Sequence, residues 1–412
     1  MNNNDIKRLR EIAQKVKQVS ESDENQAKIA NWYAMDEGNA TRPNIVIELG
    51  GIHGIFDNFV TLQCEDEMAR AQEHSMLATL FIHDYVKDDN AILPYINLGW
   101  SVSSTGYGIE SQIDRSDNDG KMGAYHIGSA LTDLSREVPL LKKRVFTVDR
   151  QKTLDNKAAL EEIYDGILKV RMRGNPWWTM GLTQAAVYLI GVEGLMMQMY
   201  DDPEGLHALM SFLRDDYMGM LDFYQNEGLL NLNNEDDYIG SGSRGYTRRL
   251  PVNTDGKITT KDLWCLIESQ ETVSVSPGMY EEFVFQYEKP FAERFGSTYY
   301  GCCEPVHTRW HLVKKLPGLK RVSVSPWCDQ ELLAQDMQGI VFSRKPNPSL
   351  ISTDKFDETA IREDLQKTLQ ITKKYNVATE IAMKDVHTIA NDPTRLPRWV
   401  EIAREEVAKI YG

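Results

Sequence analysis

Eight short β-like runs recur along this 412-residue chain, and helical stretches usually follow them. The runs are "NIVIELG" (44–50), "AILPYINLGW" (91–100), "WWTMGL" (177–182), "GLLNLNNE" (228–235), "STYYGCC" (297–303), "RVSVSPW" (321–327), "GIVFSRKPN" (339–347) and "ATEIAMKDV" (378–386). Several intervening helices announce their starts. Ser276 is an N-cap with Pro277 at the first helical position, Asp202 stands before Pro203, and "DPTRLPRW" repeats the device near the end. Eight such alternations in one chain without a linker predict an α/β chain closed into a (β/α)8 TIM barrel, with a doubly wound sheet as the alternative. The polar, helix-prone stretch 1–40 reads as an N-terminal helical extension. Residues 41–412 then form one barrel, carrying a Gly- and Ser-rich inserted loop at 238–260. The early spacing is loose, and 101–176 has room for an extra hairpin.

Charge and cysteine content limit what such a barrel works with. A net charge of −15 argues against nucleic acid and anionic membranes as partners. No apolar run is long enough to span a bilayer, and "MNNNDIKRLREIAQKVKQ" lacks the apolar core of a signal peptide. Five cysteines, an odd number at no framework spacing, fit a reducing compartment. A cytoplasmic protein is expected; a homodimer is allowed.

In a barrel the chemistry sits where strands end. Those ends carry Glu48 and His53, Trp178, Asn234, the vicinal pair Cys302 and Cys303 beside Glu304, Arg344 and Lys345, and Lys384, Asp385 and His387. Adjacent residues on a strand point to opposite faces, so Cys302 and Cys303 cannot both fill one core layer. Thiolate, imidazole and carboxylate are the ligands zinc accepts, which makes Cys302, Cys303, Glu304 and His387 a candidate metal set. Glu48, Glu304 and Asp385 are candidates for proton transfer. His53, Trp178, Asn234 and Arg344 are candidates for holding a substrate. The plainer reading makes the cysteines small buried residues and His387 a loop histidine.

Two stretches carry a family likeness. "GLTQAAVYLIGVEGLMMQMYDDPEGLHALMSFL" (181–213) and "VSPGMYEEFVFQYEKPFAERFGSTYYGCCEPVH" (275–307) resemble the uroporphyrinogen decarboxylase superfamily, in its glycine-ended strand, "DDPE" helix start and "SPE…F…P" helix. The segment "LPYINLGWSVSSTGYGIES" (93–111) is similar to its second-strand region. Within that superfamily the zinc-dependent corrinoid methyltransferases end the corresponding strand in His-x-Cys-Gly, where this chain has Gly-Cys-Cys-Glu at 301–304. Their last zinc ligand is a cysteine near the final strand, where this chain offers Asp385 and His387. The resemblance also implies that Gln270 and Glu271, just before the "SPE…F…P" helix, line the pocket and help to hold a substrate. The N-terminal Arg and Gln motif of the haem-pathway decarboxylase is absent from "RPNIVIELGGIHGIF" (42–56), so that activity is not implied.

The resemblance implies a zinc-dependent methyltransferase, the demethylase component of a system moving a methyl group between a small methylated substrate, such as a methoxylated aromatic, and a corrinoid protein. The chain lacks the "DxHxxG" cobalamin motif, so the corrinoid (cobalamin) would ride on a separate partner. Two other readings stand beside it. One is a metal-free decarboxylase or lyase in which Arg344 and Lys345 grip a small carboxylate. The other is a non-enzymatic binding barrel with an acidic surface.

Overall fold

The computed structural model describes residues 1–48, 53–57, 59–115, 125–250 and 256–412. In chain order its strands are β1 (Asn44–Ile47), β2 (Tyr95–Leu98), β3 (Val102–Ser104), β4 (Gln112–Arg115), β5 (Tyr125–Gly128), β6 (Phe146–Val148), β7 (Lys169–Met172), β8 (Tyr238–Gly240), β9 (Ser243–Arg244), β10 (Trp264–Ile267), β11 (Ser297–Tyr300), β12 (Leu319–Val324), β13 (Val341–Arg344) and β14 (Thr379–Met383). Six of them form one wholly parallel sheet in the order β1-β14-β13-β12-β11-β10. A second parallel ladder pairs β2 with β7. The result is a mixed α/β fold with eight strands in parallel ladders. Among the described residues no strand pairing joins the six to the two.

Alternation along the six-stranded sheet sorts its two faces. Ile45 and Ile47, Cys265 and Ile267, Val322 and Val324, and Ile381 and Met383 point to helices such as Glu358–Lys374 and Arg395–Tyr411, burying their aliphatic side chains there. Such burial is worth about 1.5–3 kcal/mol for each large side chain. The opposite face carries Val46, Trp264, Leu266, Tyr299, Val341 and Ala382, and is covered by residues 238–250 and the Asp23–Asp36 helix. The β8–β9 hairpin lies close against this face. A side chain on Gly240 would meet the Tyr299 ring at 2.7 Å, and one on Gly242 would touch Ala382 and Glu48. Buried Arg321 of β12 donates to Ser243 and to the carbonyls of Arg244 and Tyr246, fixing the hairpin from below. The Asn3–Ser20 helix packs Leu9, Ile12, Ala13 and Val16 into a separate core around the β2–β7 ladder.

Six of the eight expected strands are present. The run 177–182 is not a strand; it meets β10 through a bond from Met180 N to Leu266 O (2.8 Å). The run 228–235 is likewise no strand, because asparagine side chains take the place of a ladder. Asn233 exchanges both amide hydrogen bonds with the backbone of Trp264 (2.9 and 3.1 Å), while the Asn175 side chain does the same with the backbone of Asn231, whose own amide donates to the Gly174 carbonyl. The two strands that the runs had displaced are β7 and β10. The loose region 101–176 contains the β4–β5 pair and the β3–β6 pair, both antiparallel.

Candidate functional site

Continuing the inward alternation past the strand ends brings Glu48 after β1, Glu268 after β10, Lys345 after β13 and Lys384 after β14 to one mouth. The turn after β11 delivers the cysteines. Gly301 there has φ 95°, a conformation side chains resist, and a Cβ on it would come within 3.2 Å of Val306. Cys302 is buried and Cys303 exposed, with their sulfurs 3.8 Å apart. The Lys384 ammonium lies 3.1 Å from Cys302 Sγ, 3.9 Å from Cys303 Sγ and 3.1 Å from Asp385 Oδ2, and donates to Ser241 Oγ at the hairpin tip. Asp385 Oδ2 is 3.9 Å from Cys303 Sγ, and Asp385 itself adopts φ 56°.

This arrangement polarises the pair. The Cys302 thiol, hydrogen-bonded to its neighbour, holds Cys303 below the ordinary thiol range, with Lys384 assisting against the effect of burial. The same contact, with burial, raises Cys302. Burial alone would lower the Lys384 pKa, but Cys302, Cys303 and Asp385 reverse that and keep the ammonium charged. Lys345 lacks such support. Burial pushes it down to about 8, only partly opposed by Glu380.

Glu268 has a raised pKa from burial and from nearby Glu271 and Glu304, and its Oε1 has no hydrogen-bond partner. Both effects favour its protonated, carboxylic acid form. Beside the mouth, Trp177, Trp178, Tyr238 and Trp264 line a cleft of about 460 Å³. Burial raises the Tyr238 pKa, and Glu48 raises it further; Trp178, Lys384 and Cys302 also act on this phenol. The aromatic cleft and the cysteine pair thus adjoin.

The other expected residues lie as follows. Glu304 is wholly buried, and its carboxylate accepts from the backbone of Cys302 (2.7 Å) and Ser269 (3.1 Å), so it ties β11 to β10. Arg344 alternates away from the mouth and pairs with Asp364 (2.7 Å) on an outer helix. Asn234 is buried under Arg173. Gln270 and Glu271 follow β10 in a short turn, and Glu271 accepts from Thr183 (2.6 Å) at the edge of a separate cavity. His387 is exposed, two residues past Asp385. Glu48 is half-buried at the mouth. His53 opens a short helix, but its side chain lies outside the described residues. Lys384, Glu268 and Tyr238 belong to the site although the sequence assigns none of them a role. Counting i, i+2, i+4 from the apolar inner positions would have found the first two.

Zinc sets a specific requirement. Two thiolates at a Zn–S length of about 2.3 Å lie on a tetrahedron edge near 3.8 Å, which the sulfurs match. Yet the Lys384 ammonium stands among Cys302, Cys303 and Asp385, where a cation would sit. Glu304 is committed to backbone, and among the described residues no group of three or more His, Cys, Asp or Glu side chains is gathered to hold a metal. As placed, these residues do not fit zinc.

No protein-family model matches the sequence, and no curated protein sequence matches it. Among solved structures, a methyltransferase from Methanosarcina mazei is similar at 11% identity, covering 93% of this chain and 99% of that one, with a TM-score of 0.48. A likeness of that depth carries nothing about reaction or residues. No helix among the described residues is long and apolar enough to cross a membrane.

Proposed function

We propose that the two ladders are arcs of one (β/α)8 barrel in the manner of the uroporphyrinogen decarboxylase superfamily, and that its mouth demethylates a small methoxylated aromatic in concert with a corrinoid protein. The observation that carries this reading is the aromatic cleft adjoining the Cys302, Cys303 and Lys384 cluster. The asparagine seam at 231–233 supports closure, since it links the backbone after β7 to β10.

The corrinoid, carried by its own protein, supplies the nucleophile that accepts the methyl group. Trp178 and Tyr238 hold the ring by stacking, a contribution of about 1 kcal/mol beyond area burial. Lys384 stabilises the negative charge that develops on the departing oxygen, and Glu268 gives up the proton its environment retains. Cys303 and Asp385 stand at the open side. Cys303 is exposed, and Trp327, past the end of β12, is 66% and Trp178 38% exposed, so the strand ends are accessible to a macrocycle presented by a partner.

The test mixes the protein with 2-methoxyphenol and cob(I)alamin and follows methylcobalamin by absorbance. Trp178→Ala should raise KM about tenfold. Glu268→Gln should lower kcat by about 10²-fold or more with KM little changed. No methyl transfer from any methoxylated benzene, together with release of carbon dioxide from a small carboxylate, would replace this reading with the lyase.

A further inference from the structure

Two thiols on adjacent residues, with sulfurs 3.8 Å apart, differ sharply in access: Cys302 is 4% exposed, while Cys303 is open to solvent. One can meet a soluble oxidant and the other is held behind it. We propose that Cys302 and Cys303 form a reversible vicinal disulfide by exchange with low-molecular-weight disulfides, which makes the mouth of this chain a redox-modified site.

The exchange has an attacking and a resolving partner. Cys303, beside the Lys384 ammonium, attacks one sulfur of glutathione disulfide, forming a mixed disulfide and expelling one glutathione thiolate. Cys302 then gives its proton to solvent and attacks the Cys303 sulfur, and the second glutathione thiolate leaves. Two protein thiols are oxidised to one disulfide, and one glutathione disulfide is reduced to two thiols.

Local structure favours the second step. The Cys302 backbone is clamped on both sides, its N–H by Glu304 (2.7 Å) and its carbonyl by Ser323 Oγ (2.7 Å), so the resolving sulfur stays within reach. Neighbouring Cα atoms are about 3.8 Å apart, closer than the roughly 4.4–6.8 Å usual across a disulfide. The bond is therefore of the easily reduced kind, suited to switching rather than to stability. Oxidation would also take both sulfurs from Lys384. Cys64, Cys265 and Cys328 are buried and do not compete for oxidant in the folded protein. This chemistry stands apart from the proposed methyl transfer, and its readout is a mass rather than a rate.

The experiment treats the folded full chain with glutathione disulfide, blocks remaining thiols and records the intact mass. Wild type should lose two hydrogens with no glutathione retained, and dithiothreitol should restore it. Cys302→Ser should stop at one retained glutathionyl group, and Cys303→Ser should remain unmodified. Wild type that keeps a glutathionyl group, or that does not react under conditions where Cys302→Ser is modified, overturns the proposal. So does a wild type and Cys302→Ser pair that are both inert. Peptide mapping of the oxidised wild type must place the bond between residues 302 and 303, and a bond elsewhere also overturns it.

Discussion

At the scale of single residues, Lys384 decides what the cysteine pair can be. Its ammonium lies between the two sulfurs and Asp385, lowering the Cys303 pKa while taking the position a metal would need. Replacing it with methionine removes the charge and keeps most of the volume. In Lys384→Met the pH midpoint of Cys303 alkylation by iodoacetamide should rise above that of wild type. Because no group of three or more ligating side chains is gathered there among the described residues, neither the wild type, purified without an affinity tag, nor this variant should carry zinc. One zinc per wild-type chain, lost in Cys303→Ser, would show that the lysine swings aside and would restore the zinc reading. The cysteines were legible in the sequence because two rare residues stood together at a strand end. Lys384 was visible there too, but its role depends on Ser241 and Cys302, which lie 143 and 82 positions away.

At the scale of elements, the strand ends are held by carboxylates and by glycines with no room for a side chain. Glu304 bonds Ser269 and Cys302, the second residues past β10 and β11, and cutting that tie leaves two buried N–H groups unsatisfied. Glu304→Ala should therefore cost about 2–4 kcal/mol in chemical denaturation, while Glu304→Gln, which keeps an acceptor, should cost less. Equal stability of both variants and wild type would return Glu304 to the metal or proton-transfer roles expected from sequence. Gly181 is tighter still, because a Cβ there would lie 2.1 Å from the Glu268 carbonyl and 2.9 Å from its Oε1. Gly181→Ala should lose about 3 kcal/mol and displace Glu268. A variant as stable as wild type would show that β10 yields freely. These elements also mark the limit of sequence reading. "WCLI" at β10 and "KVRM" at β7 are only four residues each, and the second alternates charged with apolar side chains as a helix edge can. The run 228–235 has strand-like composition, but its partners are reached by asparagine side chains, which no periodicity reveals.

At the scale of the whole molecule, the joins between the six-stranded and two-stranded ladders are made, among the described residues, by polar groups rather than strand pairing. On one side stand the asparagines at 231–233. On the other, Asp88 and Asp89 cap the open edge of β1: Asp88 accepts from Ile47 N (2.8 Å), and Asp89 accepts from Ile45 N and from Arg42. Asp89 is neutralised by Arg42, but Asp88 accepts only backbone and amide N–H groups. Burial consequently raises the Asp88 carboxyl to about 6 from the ordinary aspartate value of 3.8. The sign of its effect follows. Between those two values the folded chain holds a proton that the unfolded chain has released, so this group's contribution is greatest below about pH 4 and is lost as pH rises through 6. Other carboxylates titrate in the same range, and a difference removes them. The unfolding free energy of wild type minus that of Asp88→Asn should fall by about 3 kcal/mol between pH 4 and 7, and stay level above. Urea titrations at half-unit steps measure it. A difference independent of pH would mean that Asp88 is solvated and that water enters the join between β1 and β2. A difference that falls as drawn makes this join a dry one, in which a buried acid is retained to hold the unpaired edge of β1 at a cost in stability near neutral pH.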